Sequence, residues 1–212
     1  MPDKDFEWTK KNIIKTIQNK DIKKLEKLDV NGHTALIRAA LAFPELISKL
    51  VNMSVDINQQ EKFGKTAIMM ACQHNLESFD ILINHPDIDL TIQNEFNETV
   101  LINSIEHYPK NTKTILEQKN VNINAQDNFG ETALMVACNF APETILDFYH
   151  HIELDFDIKN NEGNTAWDIA KKLDNGSYKL LKKCFLKYKT IQKEAIEKSI
   201  INNKTSKIKP LL

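Results

Sequence analysis

Apolar residues along the chain fall into short runs at helical spacing, separated by polar breaks that carry Gly or Pro, and the runs recur. Five cores fall into register: GHTALIRAA (32–40), GKTAIMMAC (64–72), NETVLINSI (97–105), GETALMVAC (130–138) and GNTAWDIAK (163–171). Their threonines, Thr34, Thr66, Thr99, Thr132 and Thr165, lie 32, 33, 33 and 33 residues apart. A fixed period of this size belongs to a solenoid, in which no unit buries its apolar face alone.

Each unit has an internal order. Gly-x-Thr opens a short helix, with Thr at the N-cap and Ala in place of a helix-initiating Pro. A break follows about ten residues on, marked by proline in FPEL (43–46), YPKN (108–111) and APET (141–144). Proline suits the first turn of a second helix, where its missing N–H has no partner to lose. That second helix carries apolar pairs: Leu50/Val51, Leu82/Ile83, Ile115/Leu116 and Phe148/Tyr149. Extended pieces with alternating residues, such as VDINQQ (55–60) and VNINAQD (121–127), then lead to the next turn. Gly32, Gly64, Gly130 and Gly163 stand at that turn, where a positive φ is expected, and Asn97 takes the same place in the remaining unit.

A 33-residue helix–turn–helix unit with a hairpin and a T-x-L-x-x-A helix start resembles the ankyrin repeat. The resemblance implies an all-α solenoid, a stack of helix-turn-helix units with short β-hairpin loops. It sets the repeats at 29–176, divided 29–60, 61–94, 95–127, 128–160 and 161–176. Two departures stand out: the family's T-P-L-H reads T-A-L-I or T-A-I-M, and the usual glycine between helices is absent. Without that histidine the repeats are expected to be softer, and unit 95–127, the most divergent, is expected to be irregular.

The ends read as caps. In 1–28, Ile13, Ile14, Ile17, Ile22, Leu25 and Leu28 predict two short helices. In 177–212, Leu181, Phe185, Tyr188, Ile191, Ala195 and Ile196 recur at helical spacing opposite a lysine face, predicting a long C-terminal helix followed by a basic tail.

Charge divides the molecule. Residues 29–170 hold 8 basic and 21 acidic side chains, residues 171–212 hold 12 and 3, and residues 1–28 hold 8 and 5. The middle is therefore strongly acidic and the C-terminal segment basic. Three cysteines do not make a disulfide framework and fit a reducing compartment. With no apolar leader in MPDKDFEWTKK and no apolar run near 18 residues, a cytoplasmic location is expected.

Candidate chemistry is sparse. Cys72 and Cys138 share a repeat position that also holds Ala40, Ile105 and Lys171, and its acceptance of Ala, Cys and Ile marks a helix-packing site. Two units apart, at roughly 20 Å, they are beyond disulfide reach. Cys184 has no histidine near it in the chain. His33, His74, His85, His107, His150 and His151 show no zinc-type spacing, and Asp155 and Asp157 alternate along an extended, solvated segment. No phosphate loop or nucleophile elbow occurs. No catalytic centre, cofactor, metal or small-molecule substrate is expected.

What remains is surface. In the family that the chain resembles, partners dock on the hairpin tips and the inner face of the first helices. Carried over by position, the tip residues are Phe63, Phe96 and Phe129, followed after the turn by His33, Lys65, Glu98 and Glu131. The inner-helix candidates are Leu41, His74, His107 and Phe140. These predict a non-enzymatic interaction scaffold whose acidic middle favours a protein partner with a basic segment. The three phenylalanines either contact that partner or pack hairpin on hairpin. Two other readings stand beside this one. The lysine-rich C-terminal helix and tail would target anionic membrane or nucleic acid, or the chain would be an effector that an intracellular bacterium delivers into a host cell. The plainest reading of that helix is a long cap with a solvated lysine face.

Overall fold

A computed structural model describes residues 7–206. The five threonine cores become five parallel first helices: α3 (Ala35–Ala42), α5 (Ala67–His74), α7 (Val100–His107), α9 (Ala133–Phe140) and α10 (Ala166–Lys172). Ahead of them lie α1 (Lys10–Gln18) and α2 (Ile22–Leu25). The returning layer comprises α4 (Ile47–Val51), α6 (Leu76–Ile83), α8 (Thr112–Leu116), a 3-10 helix Pro142–His150, and the long α11 (Ser177–Ser206). Stacked in order, these pairs bury one continuous core that runs from Trp8 to Tyr188.

The threonine caps behave as their position dictates, with one exception. The hydroxyls of Thr34, Thr99, Thr132 and Thr165 accept from the backbone N–H three residues on. Thr66 makes no such bond, and its buried Oγ1 has no hydrogen-bond partner. Proline opens a 3-10 turn at Pro44–Leu46 and Pro109–Asn111, ahead of α4 and α8. The second unit has no proline at this break; there Asn75 caps α6 through its side chain, accepting from Ser78 N at 3.0 Å.

Irregularity falls in the fourth unit instead of unit 95–127. The divergent unit builds α7 and α8 normally, since Asn97 takes φ 58° in place of glycine and buried Ser104 bonds within its own helix, to Leu101 O. The fourth unit's return segment, by contrast, is 3-10 over all nine residues of Pro142–His150. Aromatic bulk at Phe148 and Tyr149, beside the Tyr149–His150 ring contact at 3.8 Å, accompanies this tighter winding, and α11 packs along it.

The hairpins are pared to their tips. Among the described residues the β pairing is one isolated bridge, Gln126–Thr132. Each tip is closed instead by a side-chain acceptor: Asp29, Glu61, Asn94, Asp127 and Asn160 each accept two backbone N–H bonds, from the residues two and four positions on. Gly64 and Gly130 are required twice over. Their φ values are 77° and 73°, and a Cβ would lie 2.9 Å from Asn94 Cα or 2.8 Å from Asn161 N of the next tip.

Aromatic packing seats α11. Phe156 contacts Trp167, Phe185 and Tyr188 at 6.1, 5.1 and 5.2 Å, and Trp167 contacts Phe185 at 5.5 Å. At the other end Trp8 is fully buried; its backbone N–H donates to Asp29 and its ring N–H to Lys27 O. Of the basic tail, residues 207–212 lie outside the described residues.

Candidate functional site

Backbone bonds join the tips into a row. Glu95 N donates to Phe63 O, Asn128 N to Phe96 O and Asn161 N to Phe129 O, each at 2.9 Å. Gln60 and Gln93 repeat the link one layer down, donating to Gln93 O and Gln126 O at 2.9 and 3.0 Å. With backbone holding the row, the phenylalanine rings are left outside it: Phe63, Phe96 and Phe129 are 45%, 50% and 72% exposed. The Lys62 ammonium sits over the Phe63 ring at 4.6 Å.

Beside the tips runs the inner face of the first helices. His74, His107 and Phe140 are exposed there, Phe140 by 63%, whereas Leu41 is half-buried against the core. The post-turn residues point between tips and helices and are half-buried. Glu98 accepts from Asn94 at 2.7 Å and from Asn103 at 3.4 Å. Glu131 accepts from Asn139 and Asn160, both at 3.5 Å. These carboxylates brace tip to helix. His33 turns inward: its Nδ1 is buried without a partner, and burial lowers its pKa most, opposed by Asp29. Lys65 is half-buried.

The carboxylates crowd one another. Burial first, then Glu98, Asp127 and Glu131, raise the Glu106 pKa above its ordinary value. At Glu131 burial raises it most and Asp127 and Glu162 add to that, with Asn160 and Asn139 opposing. Half-buried groups that repel each other when ionised form a face on which a cation relieves an existing strain. A recess of about 190 Å³ between Glu131, Glu162 and Lys172 marks its C-terminal end.

The family model for ankyrin repeats matches residues 7–94 and 38–127, more than half the chain. The chain belongs to the ankyrin repeat family. Solved structures agree on the fold. The ankyrin repeat protein EF0377 superposes with a TM-score of 0.67 at 23% identity, covering 86% of this chain and 100% of its own. An ankyrin repeat domain from Acinetobacter baumannii gives 0.65 at 19%, covering 84% and 98%. A chain from the complex of the predatory endopeptidase Bd0816 of Bdellovibrio bacteriovorus with immunity protein Bd3460 gives 0.62 at 25%, covering 83% and 99%. No curated protein matches at a significant level. Ankyrin repeats are protein–protein interaction modules.

In this ankyrin stack the cysteines are packing residues. Cys72, Cys138 and Cys184 are free and buried. Burial pushes the thiols up to about 11, 12 and 12 respectively, so the reactive thiolate is suppressed. Cys184 comes from α11 to lie near Cys138, whose pKa it raises further, a proximity the spacing along the chain does not reveal. Among the described residues no cluster of His, Cys, Asp or Glu is arranged to hold a metal ion.

The acceptors at 29, 61, 94, 127 and 160 escaped the sequence reading, although a signal was present. Asp, Glu or Asn stands five residues ahead of every core threonine.

Proposed function

We propose that this ankyrin repeat protein is a non-catalytic scaffold that binds a partner protein along its concave face, through the tips and the first helices. The partner presents a basic segment. The observation that carries this reading is the row of exposed rings, Phe63, Phe96 and Phe129 with Phe140 beside them, set against carboxylates crowded enough to raise the Glu106 and Glu131 pKa values. Exposed aromatics on a rigid support are the residues that become interface hot spots, and crowded carboxylates beside them select a cationic partner and speed its approach. The related chain in the endopeptidase–immunity protein complex adds support, because a fold of this kind occurs there in a protein–protein assembly. Three free, buried thiols fit a reducing, intracellular setting for the interaction.

The test uses a defined ligand. A fluorescent lysine-rich peptide with interspersed aliphatic residues is titrated into wild type and into the Phe96→Ala/Phe129→Ala variant, with an acidic peptide as control. Affinity for the basic peptide falls at least about tenfold in the variant, with the thermal midpoint unchanged. A large loss of stability instead would assign the rings to packing between tips, and equal binding of the acidic peptide would remove the charge argument.

A further inference from the structure

The C-terminal helix is longer than its seat. Leu181, Cys184 and Tyr188 of α11 are buried, but from Lys193 to Ile200 every residue is exposed. The stretch 193–206 runs on for about 21 Å beyond the packed part, at the rise of an α-helix. A helix of this length without tertiary contacts is marginal in water. One face of it is also patterned: Leu186, Lys189, Lys193, Ile196 and Ile200 stand at successive helical turns, all exposed, and Ile196 is 59% so. On a helical wheel this stripe lies roughly 130° from the seam that packs on the stack. It combines aliphatic side chains with ammonium groups.

The concave face is its counterpart, with Phe96, Phe129 and Phe140 exposed and carboxylates from Glu98, Glu106, Glu131 and Glu162 between them. Five first helices stacked at roughly 8–10 Å make a trough on the order of 40 Å long, ample for the free part of α11. Charge complementarity holds at the level of the segments too, since residues 29–170 hold 8 basic and 21 acidic side chains against 12 and 3 in 171–212.

We propose that the free half of α11 docks in the acidic, phenylalanine-lined trough of a second copy of this chain. Because α11 is one unbroken helix whose first half is anchored on the return segment Pro142–His150, its distal half cannot fold back into its own trough without breaking, and the contact is made between molecules. The contact is head-to-tail: helix on one molecule, trough on the next. Such an interface leaves a free helix and a free trough at the ends of every open assembly, so it grows into open chains or closes into a ring. A lysine-bearing amphipathic helix lying in an apolar groove is an established mode of recognition in general, read through side chains at i, i+3, i+4 and i+7. This proposal rests on the reading of the concave face as a binding surface for basic segments and names an occupant for it.

Sedimentation velocity on the full chain tests it. Wild type associates with rising concentration, and raising the salt tenfold dissociates the assembly, because its attraction is between exposed charges. Lys189→Glu/Lys193→Glu and Glu106→Lys/Glu162→Lys each weaken self-association about tenfold or more. The decisive arm mixes a chain ending at Gln192, which offers only a trough, with the Glu106→Lys/Glu162→Lys variant, which offers only a helix. Each alone is monomeric; the mixture stops at a 1:1 complex. A wild type that stays monomeric at every concentration overturns the proposal, as does association that survives both charge reversals. If a monomeric chain binds vesicles containing phosphatidylserine and loses them on truncation at Gln192, α11 is a membrane element and the proposal falls. Binding of the lysine-rich peptide by a chain that does not self-associate sinks this inference and leaves the proposed function standing; failure of both removes the concave face as a site.

Discussion

At the scale of single residues, the unit is set by a turn acceptor, a positive-φ residue and a threonine cap, and the places where the trio is imperfect are informative. Thr132 caps α9 through Met135 N, so Thr132→Ala costs about 1 kcal/mol of unfolding free energy in urea melts. Thr66 occupies the same register with a buried, unpartnered hydroxyl. Thr66→Val keeps the shape and removes the unsatisfied group, so it leaves the urea midpoint unchanged or raises it. A loss equal to that of Thr132→Ala would show that Thr66 has a partner after all. The glycines separate in the same way. A Cβ at Gly163 meets nothing within 4 Å, whereas one at Gly130 lies 2.6 Å from Asn161 Oδ1. Gly163→Ala therefore loses about 1 kcal/mol from the left-handed φ alone. Gly130→Ala loses more, because the ladder bond from Asn161 N to Phe129 O must also shift.

At the scale of elements, much was legible because a solenoid writes the same element five times. Thr at 34, 66, 99, 132 and 165 located the start of every first helix, and the prolines at 44, 109 and 142 located three of the return segments. The Asn75 cap replaced proline without leaving a proline to read, and the 3-10 winding of Pro142–His150 accompanies packing against α11, a contact with no local sequence signature. The candidate site was legible by register alone: period placed the phenylalanines on the tips, but the inward turn of His33 and the asparagine partners of Glu98 and Glu131 are set by side-chain packing that register does not reveal. The aromatic group around Phe156 and Trp167 likewise joins residues from three segments. It divides α11 into two functional lengths. A chain ending at Gly176 uncovers Phe148, Phe156 and Trp167 and loses at least about 3 kcal/mol, judged against the cost of deleting one buried aromatic. A chain ending at Gln192 keeps Leu181, Phe185 and Tyr188 and unfolds at the wild-type midpoint. Equal losses in the two truncations would mean that the distal half of the helix also supports the fold.

At the scale of the whole molecule, the proposed role of the acidic concave face in binding predicts a cost in stability, and Glu106 is where that cost is measurable. Its folded-state pKa is raised by burial and by Glu98, Asp127 and Glu131, so the folded chain holds that proton more tightly than the unfolded chain does. The contribution to stability is then fully present below the unfolded carboxylate value and is lost as pH rises through the raised folded value. At neutral pH the ionised group is a net liability to the fold. Glu106→Gln removes it: the variant is more stable than wild type near pH 7, and the advantage shrinks as pH falls towards the ordinary carboxylate range, which melts across that range measure directly. A basic segment in the trough acts on the same group with the opposite sign, lowering its pKa, so peptide binding in mildly acidic buffer releases protons. Calorimetry in buffers of different ionisation heat reads that release as a buffer-dependent enthalpy. In Glu106→Gln the buffer dependence diminishes and the affinity for the basic peptide drops several-fold, mostly through a slower on-rate. A variant that gains stability without losing affinity would detach the carboxylates from recognition and leave the phenylalanine row as the binding determinant.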